Sequence, residues 1–487
     1  MSKVRPMRVV SFGLCLCLSA GIACDKPSST TLTDDPTTLP LVTKTTPDAA
    51  NKSVGSGATS QNNSPKDRPS TPSGTPVEEL YPTGSFISPM TERVQKHIRA
   101  LGSQHIRLHD DRFIKVGGSG SSTPLLLQCF EAGRIDLGDW SELKTSLKRF
   151  RRLMPDGKSP FGRKSLAAKP GATAHWVLSG SPSHLQSEID AVQPRFALVH
   201  YGTNDMHKKG TYLGSARAFM SRMSQVLKVL QEQGIVPIIT AITPRNDHPT
   251  ASAWIPFFNR ALRALAQKQH VPFLDIHSAI LSLPNRGRAE DQLHGNVYRE
   301  NGVARPCFFG DEALGFSYNV RNLLTIRLLD QLFKLVKGSS VPTEAADILT
   351  GSGSQESPWV VPSLPFAHRI DTSRSSQVRR RDYPGCQGHG DVSGPEFEYE
   401  LKIERTQRVR AVVLGDDSVE VDLFLLEKSP QGDACLRWSD RSITRTLVAG
   451  STYRFIIDTR TVESSPRWGA ATLNLHPCGK NDPVCKP

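Results

Sequence analysis

The sequence predicts two folded domains of different class, an α/β domain with a parallel sheet followed by an all-β sandwich. Residues 183–276 alternate between amphipathic helices and short apolar strands, which is the pattern of βαβ units around a parallel sheet. From residue 397 onward, short strands follow one another with no long helix between them, and this favours an antiparallel sandwich. A chain of 487 residues is also too long for one compact core.

The first 23 residues are typical of an export signal. Three basic residues precede an apolar stretch that is too short to span a bilayer, and Cys24 follows a run of mainly small residues. This resembles a bacterial lipoprotein signal, which implies that Cys24 carries the lipid. Gly21 stands where that pattern usually has leucine, so ordinary secretion with cleavage nearby is the alternative. We expect a protein of the cell envelope, on the periplasmic or the cell-surface side.

Composition marks the borders of the folded parts. The segment after Cys24 is rich in Ser, Thr and Pro and nearly free of aromatic residues, so it cannot bury enough apolar surface to fold. A second stretch rich in Gly, Ser and Pro precedes the strand-rich region. We therefore predict a signal at 1–23, a disordered tether at 24–80, an α/β domain at 81–340, a linker at 341–365 and a sandwich at 366–487.

The charge of the chain favours anionic partners. The formal net charge is +13, and nine basic residues against one acidic residue lie between Lys144 and Lys169. Such a run is usually a solvated face, and the alternative is an insertion at the active-site rim that attracts an anionic substrate. Because no helix-turn-helix, zinc-finger or RNP-like pattern occurs, we expect no nucleic-acid partner.

The cysteine count predicts disulfides. Six cysteines remain beyond Cys24, and an even number in an oxidising compartment indicates pairing, although six allow fifteen pairings. We expect the pairs Cys129–Cys307, Cys386–Cys435 and Cys478–Cys485. None of them has the spacing of a zinc site, so no metal is expected.

The helices and strands of the first domain are predicted from the spacing of apolar residues and from the capping and turn residues between them. Ser88–Pro89 is typical of a helix start, the strand 113–116 runs into a turn of glycine and serine, and a helix is predicted at 124–130. Later elements are helices at 183–192, 216–233 and 254–270 and strands at 196–199, 236–242 and 272–276.

Polar residues stand at the ends of these strands. Ser119, Asn204 and Asp247 each follow a strand, and the functional residues of a parallel sheet gather at the carboxyl ends of its strands. Further on, Asp291 precedes His294 by three residues, which allows the carboxylate to bind the imidazole and fix its tautomer.

Four stretches within residues 105–335 together match one family pattern. Gly117–Ser119 ends the first strand, Gly202–Asp205 reads GTND and Asp291–His294 reads DQLH. A glycine between the first two stretches completes the set, with Gly180 preferred and Gly171 as its rival. The pattern resembles the SGNH (GDSL-like) hydrolase family. The resemblance implies a flavodoxin-like three-layer parallel-sheet domain that hydrolyses carboxylic esters.

The resemblance also implies a role for each residue. Ser119 would be the nucleophile, His294 its general base and Asp291 the group that orients the imidazole. The oxyanion would be held by the backbone N–H groups of Ser119 and Gly180 and by the side-chain amide of Asn204. This chemistry requires no cofactor and no metal.

Two alternatives remain open in this pattern. Gly118 stands where the family has aspartate, which leaves either an active enzyme or a domain that kept the fold and lost its activity. A shifted register would make Ser121 or Ser122 the reactive hydroxyl. Ser119 ranks first because it directly follows the glycine pair at the strand end.

The second domain shows a weaker likeness. The stretches Gly394–Tyr399, Val421–Leu426 and Ala449–Tyr453 resemble bacterial pre-peptidase C-terminal-like modules, which implies an accessory role such as glycan or surface binding. The sequence as a whole predicts a monomeric, lipid-anchored serine esterase or deacetylase acting on acylated envelope or extracellular glycans or on small esters. The alternative is a catalytically degenerate glycan-binding envelope lipoprotein.

Overall fold

The computed structural model describes residues 78–486 apart from 106, 208, 376–379, 381, 389–390 and 463–464. The predicted signal, the lipidation site at Cys24 and nearly all of the predicted tether lie outside the described residues. Within the described residues, no helix has both the length and the apolar character needed to cross a membrane.

The first domain is built around a parallel sheet whose four strands are, in spatial order, β2 (His109–Gly117), β3 (Pro194–His200), β4 (Val236–Thr240) and β5 (Phe273–Leu274). Its helices are α1 (Glu92–Gln104), α2 (Ser119–Ser122), α3 (Cys129–Ala132), α4 (Lys144–Phe150), α5 (Ala174–Val177), α6 (His184–Val192), α7 (Tyr212–Glu232), α8 (Pro249–Gln269), α9 (Ile276–Leu281) and α10 (Ser317–Val336). Its strands are β1 (Glu78–Leu80), β2 (His109–Gly117), β3 (Pro194–His200), β4 (Val236–Thr240), β5 (Phe273–Leu274), β6 (Arg299–Glu300), β7 (Val303–Ala304) and β8 (Asp347–Leu349).

Helices cover both faces of this sheet, which confirms the predicted α/β class. One row contains α1, α4 and α10, and the other contains α6, α7 and α8. Every residue of β3 and β4 is buried, as expected for parallel strands covered on both sides. The carboxyl ends of β2 and β3 lie side by side, because Gly117 is paired with His200. This register brings the turn after β2 next to the loop after β3.

Local sequence explains two of the differences between the predicted and the observed elements. The predicted helix start at Ser88 is wrong, because Thr91 caps α1 by accepting a hydrogen bond from the N–H of Val94. The helix predicted at 124–130 is also wrong. The chain forms α2 before this stretch and α3 at its end, and between them Leu127 adopts a left-handed conformation (φ 63°) that interrupts a helix.

The second domain is a two-sheet sandwich, as predicted. The strands are β9 (Trp359–Val360), β10 (Phe366–Asp371), β11 (Phe397–Lys402), β12 (Gln407–Gly415), β13 (Val421–Glu427), β14 (Ala434–Ser439), β15 (Ser442–Leu447), β16 (Thr452–Thr459), β17 (Thr461–Val462), β18 (Ser465–Pro466) and β19 (Ala470–Pro477). One sheet has the order β10-β19-β12-β15 and the other β14-β13-β16-β11-β9. The segment predicted as a linker supplies β8, which pairs with β1, and β9, which pairs with β11.

The sandwich packs directly on α7 and α8, and the described residues all fall in one compact unit. The Arg260 guanidinium, on α8, donates hydrogen bonds to Asn474 Oδ1 at 3.2 Å and to His476 Nδ1 at 2.9 Å. From the sandwich, Arg369 is 1% exposed and donates to Ser224 Oγ on α7 at 2.8 Å. Buried polar contacts of this kind fix the orientation of one domain on the other.

The three predicted disulfides are confirmed. Cys129 is bonded to Cys307, Cys386 to Cys435 and Cys478 to Cys485, with Cα–Cα distances of 5.9, 5.5 and 5.8 Å. The first of them ties α3, just beyond the turn after β2, to a loop 178 residues further along the chain.

Candidate active site

The turn after β2 has space only for glycine at its first position. A Cβ on Gly117 would lie 2.5 Å from the carbonyl oxygen of His200 and would overlap the Oγ of Ser121. Ser119 follows as the first residue of α2, where helix geometry leaves its N–H without an intrahelical acceptor. The side chain of Ser119 is thereby presented at the carboxyl end of the sheet.

Ser119, His294 and Asp291 form one chain of hydrogen bonds. The Oγ of Ser119 lies 2.9 Å from Nε2 of His294, and Nδ1 of His294 lies 2.5 Å from Oδ2 of Asp291. The side chains of His294 and Asp291 are 43% and 51% exposed, so the pair lies at the surface, where a substrate can reach it. A serine hydroxyl bonded to an imidazole that is oriented by a carboxylate is the arrangement of an activated nucleophile.

Asp291 and His294 lie on one loop, which we call the base loop, and the backbone of this loop keeps Asp291 ionised. Oδ1 of Asp291 accepts the N–H groups of His294 at 2.9 Å and of Leu293 at 3.0 Å. Burial raises the pKa of the Asp291 carboxyl, but the hydrogen bonds from the His294 ring and from these N–H groups outweigh burial and hold the pKa at about 2. The carboxylate is therefore negatively charged at neutral pH.

The two other serines of the turn do not reach the imidazole. Ser121 is 2% exposed, and its hydroxyl lies under Gly117. Ser122 points back along its own helical turn, where its Oγ donates to the carbonyl oxygen of Ser119 at 3.3 Å. Of the three serines, only Ser119 contacts His294 in the described structure.

Asn204 lies beside the serine turn, on the loop after β3. Its Nδ2 donates to the carbonyl oxygen of Ala172 at 3.0 Å, which leaves the second amide hydrogen for another acceptor. Ala172 belongs to a loop that borders the turn, since Gly117 N–H donates to Ala167 O at 3.1 Å and Lys169 N–H donates to Gly117 O at 3.2 Å. The loop that carries Gly171 therefore adjoins Ser119.

The preferred glycine of the sequence prediction, Gly180, lies elsewhere. It occupies the turn between α5 and α6, where the nearest atoms that a Cβ would meet belong to Pro182 and Ser183. Gly171, the rival of Gly180, lies on the loop that bonds to Gly117 and Asn204, which favours Gly171; the oxyanion role of either glycine stays a prediction.

Asp205 ties the two loops beside Ser119 together, a role that sequence reasoning missed. Its buried carboxylate accepts Ala174 N–H at 2.9 Å through Oδ1 and Gly202 N–H at 3.0 Å through Oδ2. The loop that contains Ala172 is thus fixed to the end of β3, close to Asn204. Asp247, the other strand-end candidate, instead forms an ion pair with Arg245.

Part of the basic segment is paired or packed within the fold. Arg149 lies over the Phe333 ring at 3.4 Å, Arg152 is paired with Asp111, and Arg163 is paired with Asp156 and Glu188. Its last member, Lys169, differs from these. The backbone of Lys169 is bonded to Gly117, and its Nζ lies 4.6 Å from the ring of Trp176.

One candidate metal cluster occurs among the described residues, formed by His476, Asp482 and Cys485. Since Cys485 is in a disulfide, its sulfur offers no thiolate ligand. The expected absence of a cofactor stays a prediction.

Comparisons with known proteins agree with this geometry. Residues 147–297 match the model of the GDSL-like Lipase/Acylhydrolase family. The matched segment contains Asn204, Asp291 and His294, and it begins after Ser119, which the fold brings to the same place. No curated protein sequence matches the chain.

Solved structures similar to this chain include hydrolases and a sandwich module. A GDSL-like lipase from Bacteroides thetaiotaomicron has 14% identity and a TM-score of 0.29, over 49% of this chain and 98% of that one. A two-domain esterase active on acetylated mannans has 11% identity and a TM-score of 0.28, over 83% of this chain and 97% of that one. The pre-peptidase C-terminal domain of a Bacillus anthracis collagenase has 10% identity and a TM-score of 0.16, over 23% of this chain and 89% of that one.

The likeness of the sandwich to pre-peptidase C-terminal-like modules stays a prediction. For the first domain, the family match and the residues gathered at the carboxyl end of the sheet lead to one assignment. Residues 147–297 match a GDSL-like lipase/acylhydrolase domain, and this match supports an ester-bond hydrolase.

Proposed function

We propose that the protein is an exported serine esterase that removes acyl groups from envelope or extracellular glycans. The observation that carries the catalytic part is the hydrogen-bond chain from Ser119 Oγ through His294 to Asp291, with distances of 2.9 and 2.5 Å. These three side chains come from two loops 175 residues apart, so chance proximity along the sequence does not account for their arrangement.

In the proposed reaction, the Oγ of Ser119 attacks the ester carbonyl carbon while Nε2 of His294 takes the hydroxyl proton. The ionised Asp291 stabilises the imidazolium that forms. His294 then gives the proton to the leaving alcohol, and an acyl-enzyme remains on Ser119. Water, deprotonated by His294, attacks the acyl-enzyme and releases the carboxylic acid and the free serine.

The oxyanion of each tetrahedral intermediate would be held beside the turn. We assign the donors as the N–H of Ser119, the free amide hydrogen of Asn204 and the N–H of Gly171 in place of Gly180. Each donor of this kind lowers the barrier by about 3 to 4 kcal/mol.

The glycan part of the proposal rests on the surface near the turn and on export. Trp176 is half-buried and stacks on His184 with ring centroids 4.1 Å apart. It lies next to Lys169, whose backbone contacts the turn that carries Ser119, called the nucleophile turn below. An aromatic face with polar groups around it suits the apolar face and hydroxyl edge of a sugar ring. The proposed lipid on Cys24 would keep the enzyme at the envelope, where such glycans lie.

The test compares wild-type protein with Ser119→Ala and with Ser122→Ala as the matched control. On p-nitrophenyl acetate, wild type and Ser122→Ala should show equal turnover, and Ser119→Ala should show none above background. Turnover that survives in Ser119→Ala would refute the nucleophile. Absence of turnover in all three would favour the degenerate binding protein.

Two further measurements test the proposed glycan substrate and the proposed lipid anchor separately. Acetate release from acetylated polysaccharide, compared in wild type and Trp176→Ala, tests the glycan. The variant should lose polysaccharide turnover and keep turnover of the p-nitrophenyl ester. Labelling with radioactive palmitate in cells should mark wild type and spare Cys24→Ser, and equal labelling of both would refute the anchor.

A further inference from the structure

The first turn of α10 contacts the loop that carries His294. The N–H groups of Ser317 and Tyr318, at the start of the helix, donate to Asn296 Oδ1 at 2.9 Å and to Asn296 O at 3.1 Å. Asn296 lies two residues beyond His294. A Cβ on the intervening Gly295 would lie 2.6 Å from the Oγ of Ser317, so the loop and the helix are in direct contact.

One turn further along α10, Arg321 contacts the nucleophile turn. Its Nη1 donates to the carbonyl oxygen of Gly120 at 2.9 Å, and its Nη2 donates to Nδ1 of His200 at 3.1 Å. A Cβ on Gly120 would lie 3.2 Å from Nη1 of Arg321 and 3.3 Å from the His200 ring. The residue after Ser119 therefore rests directly on this pair.

Arg288 holds the base loop from the inside. Its Nε donates to Arg286 O at 3.0 Å, and its Nη1 donates to the carbonyl oxygen of Leu293, the residue before His294, at 3.0 Å. Its Nη2 reaches Ser317 Oγ at 3.3 Å. The planar fork of a guanidinium makes these bonds in fixed directions, which an ammonium group cannot reproduce.

Both arginines are buried, and neither forms a close ion pair with a described carboxylate, although the charge of Asp291 acts on Arg288 and raises its pKa. Arg288 and Arg321 are 3% and 6% exposed, and no described carboxylate oxygen lies within 4.0 Å of either guanidinium. Taking an ion out of water without a partner costs several kcal/mol. Both arginines line the same cavity of about 40 Å³ as Ser119 and His294. The desolvation free energy is therefore spent next to these two catalytic side chains.

The protonation states agree with these contacts. Burial lowers the pKa of Arg288 to about 10 and also lowers that of Arg321. A guanidinium in a protein stays protonated at neutral pH. Burial and the charges of Arg321 and Arg288 place the pKa of His200 well below its ordinary value. The neutral imidazole therefore accepts the hydrogen bond from Arg321 at Nδ1 and carries its own proton on Nε2.

We propose that Arg288 and Arg321 are positioning residues, which tie the base loop and the nucleophile turn to the same end of α10 and so set the distance between His294 and Ser119. The proposal rests on the proposed function, because its kinetic effect is read through ester hydrolysis. A misplacement of about 1 Å at a catalytic pair costs about 10²-fold in rate, which sets the expected scale.

The test uses the full chain with Arg321→Met, Arg321→Lys and Arg288→Met, and Arg327→Met as the matched control. Arg327 lies on the same helix but packs on the ring of Trp140, 4.4 Å from its centroid. We expect kcat to fall about 10²-fold in Arg321→Met and Arg288→Met with KM within about twofold of wild type. Arg321→Lys should recover less than a tenth of the kcat that is lost in Arg321→Met. Arg327→Met should keep wild-type kcat.

A second readout does not depend on turnover. In crystal structures of Arg321→Lys and Arg321→Met, the distance from Ser119 Oγ to His294 Nε2 should lengthen by about 1 Å. An unchanged distance, or equal losses of kcat and Tm in Arg321→Met and Arg327→Met, would overturn the proposal. An inactive wild type would refute the proposed function, and the measured distances would still decide whether the two arginines position the pair.

Discussion

The side-chain amide of Asn204 lies against the backbone of Gly118. A Cβ built on residue 118 would be 3.2 Å from Nδ2 of Asn204 and 3.6 Å from the carbonyl oxygen of Ala172. The backbone of Gly118 has φ −85°, outside the left-handed region that favours glycine, so we attribute the restriction at this position to the contact with Asn204. The residue that departs from the family pattern is thus the one on which the amide packs.

Replacing Gly118 by alanine should lower kcat about tenfold at unchanged KM, because the amide must move by a few tenths of an ångström to admit the new methyl group. Steady-state kinetics on p-nitrophenyl acetate measures the effect. Gly310→Ala is the control, since a Cβ there meets nothing within 4 Å. Wild-type kcat in Gly118→Ala would contradict the packing argument.

Asn204→Ala should reduce kcat by about 10² to 10³ with little change in KM, because the amide hydrogen acts on the oxyanion only after attack. Asn204→Asp, which keeps the shape and removes the donor, should lose at least as much. A loss expressed mainly in KM would assign Asn204 to substrate binding instead.

Asp205→Asn should destabilise the protein and slow catalysis together. An amide has one oxygen to offer, whereas the buried carboxylate accepts from Ala174 and Gly202 with two. Leaving one buried N–H unpaired costs about 1 to 3 kcal/mol in the free energy of unfolding. Urea unfolding measures the loss in the free energy of unfolding, and steady-state kinetics measures the loss in kcat. Unchanged stability would show that water replaces the lost acceptor.

The pKa of Asp291 makes a prediction with a definite sign. Because the folded-state pKa is depressed to about 2, the hydrogen bonds of this carboxylate stabilise the fold above the unfolded value of about 3.9 and are lost as the pH falls through about 2. Asp291 is half exposed, so screening keeps the contribution small. The Tm difference between wild type and Asp291→Asn should therefore be larger at pH 6 than at pH 2. NMR titration of the carboxyl should show an apparent pKa below 3.9.

The disulfides should differ in their effect on stability. Chain entropy predicts a loss of about 5 kcal/mol when the Cys129–Cys307 pair, 178 residues apart, is replaced by alanines, and about 2.5 kcal/mol for Cys478–Cys485, seven apart. Chemical unfolding of the two double variants measures the difference. Equal losses would show that native contacts, and not loop closure, dominate.

Much of this structure was predictable because it depends on local pattern. Alternating strands and helices gave the parallel sheet, and polar residues at strand ends pointed to Ser119 and Asn204, which lie beside each other in the fold. The spacing of Asp291 and His294 was enough to predict their hydrogen bond, since three residues on a tight loop bring the two side chains together.

What the sequence left open depends on contacts between distant segments. Gly180 and Gly171 are equivalent as isolated glycines, and only the pairing of residues 167–169 with Gly117 distinguishes them. Arg288 and Arg321 look like ordinary basic residues of a chain with 60 of them. Their burial beside Ser119 follows from the packing of α10, an element whose apolar residues indicate a core helix and say nothing about catalysis.

The docking of the sandwich on α7 and α8 changes what a second domain contributes. On a flexible linker, a bound domain raises the local concentration of substrate within a sphere set by linker length. Here Arg369 and Asn474 fix the sandwich to the α/β domain, so a ligand held by the sandwich is presented to Ser119 at one distance and one angle. Under the proposed function, a repeating glycan held by the sandwich would be deacylated at regular intervals along its length.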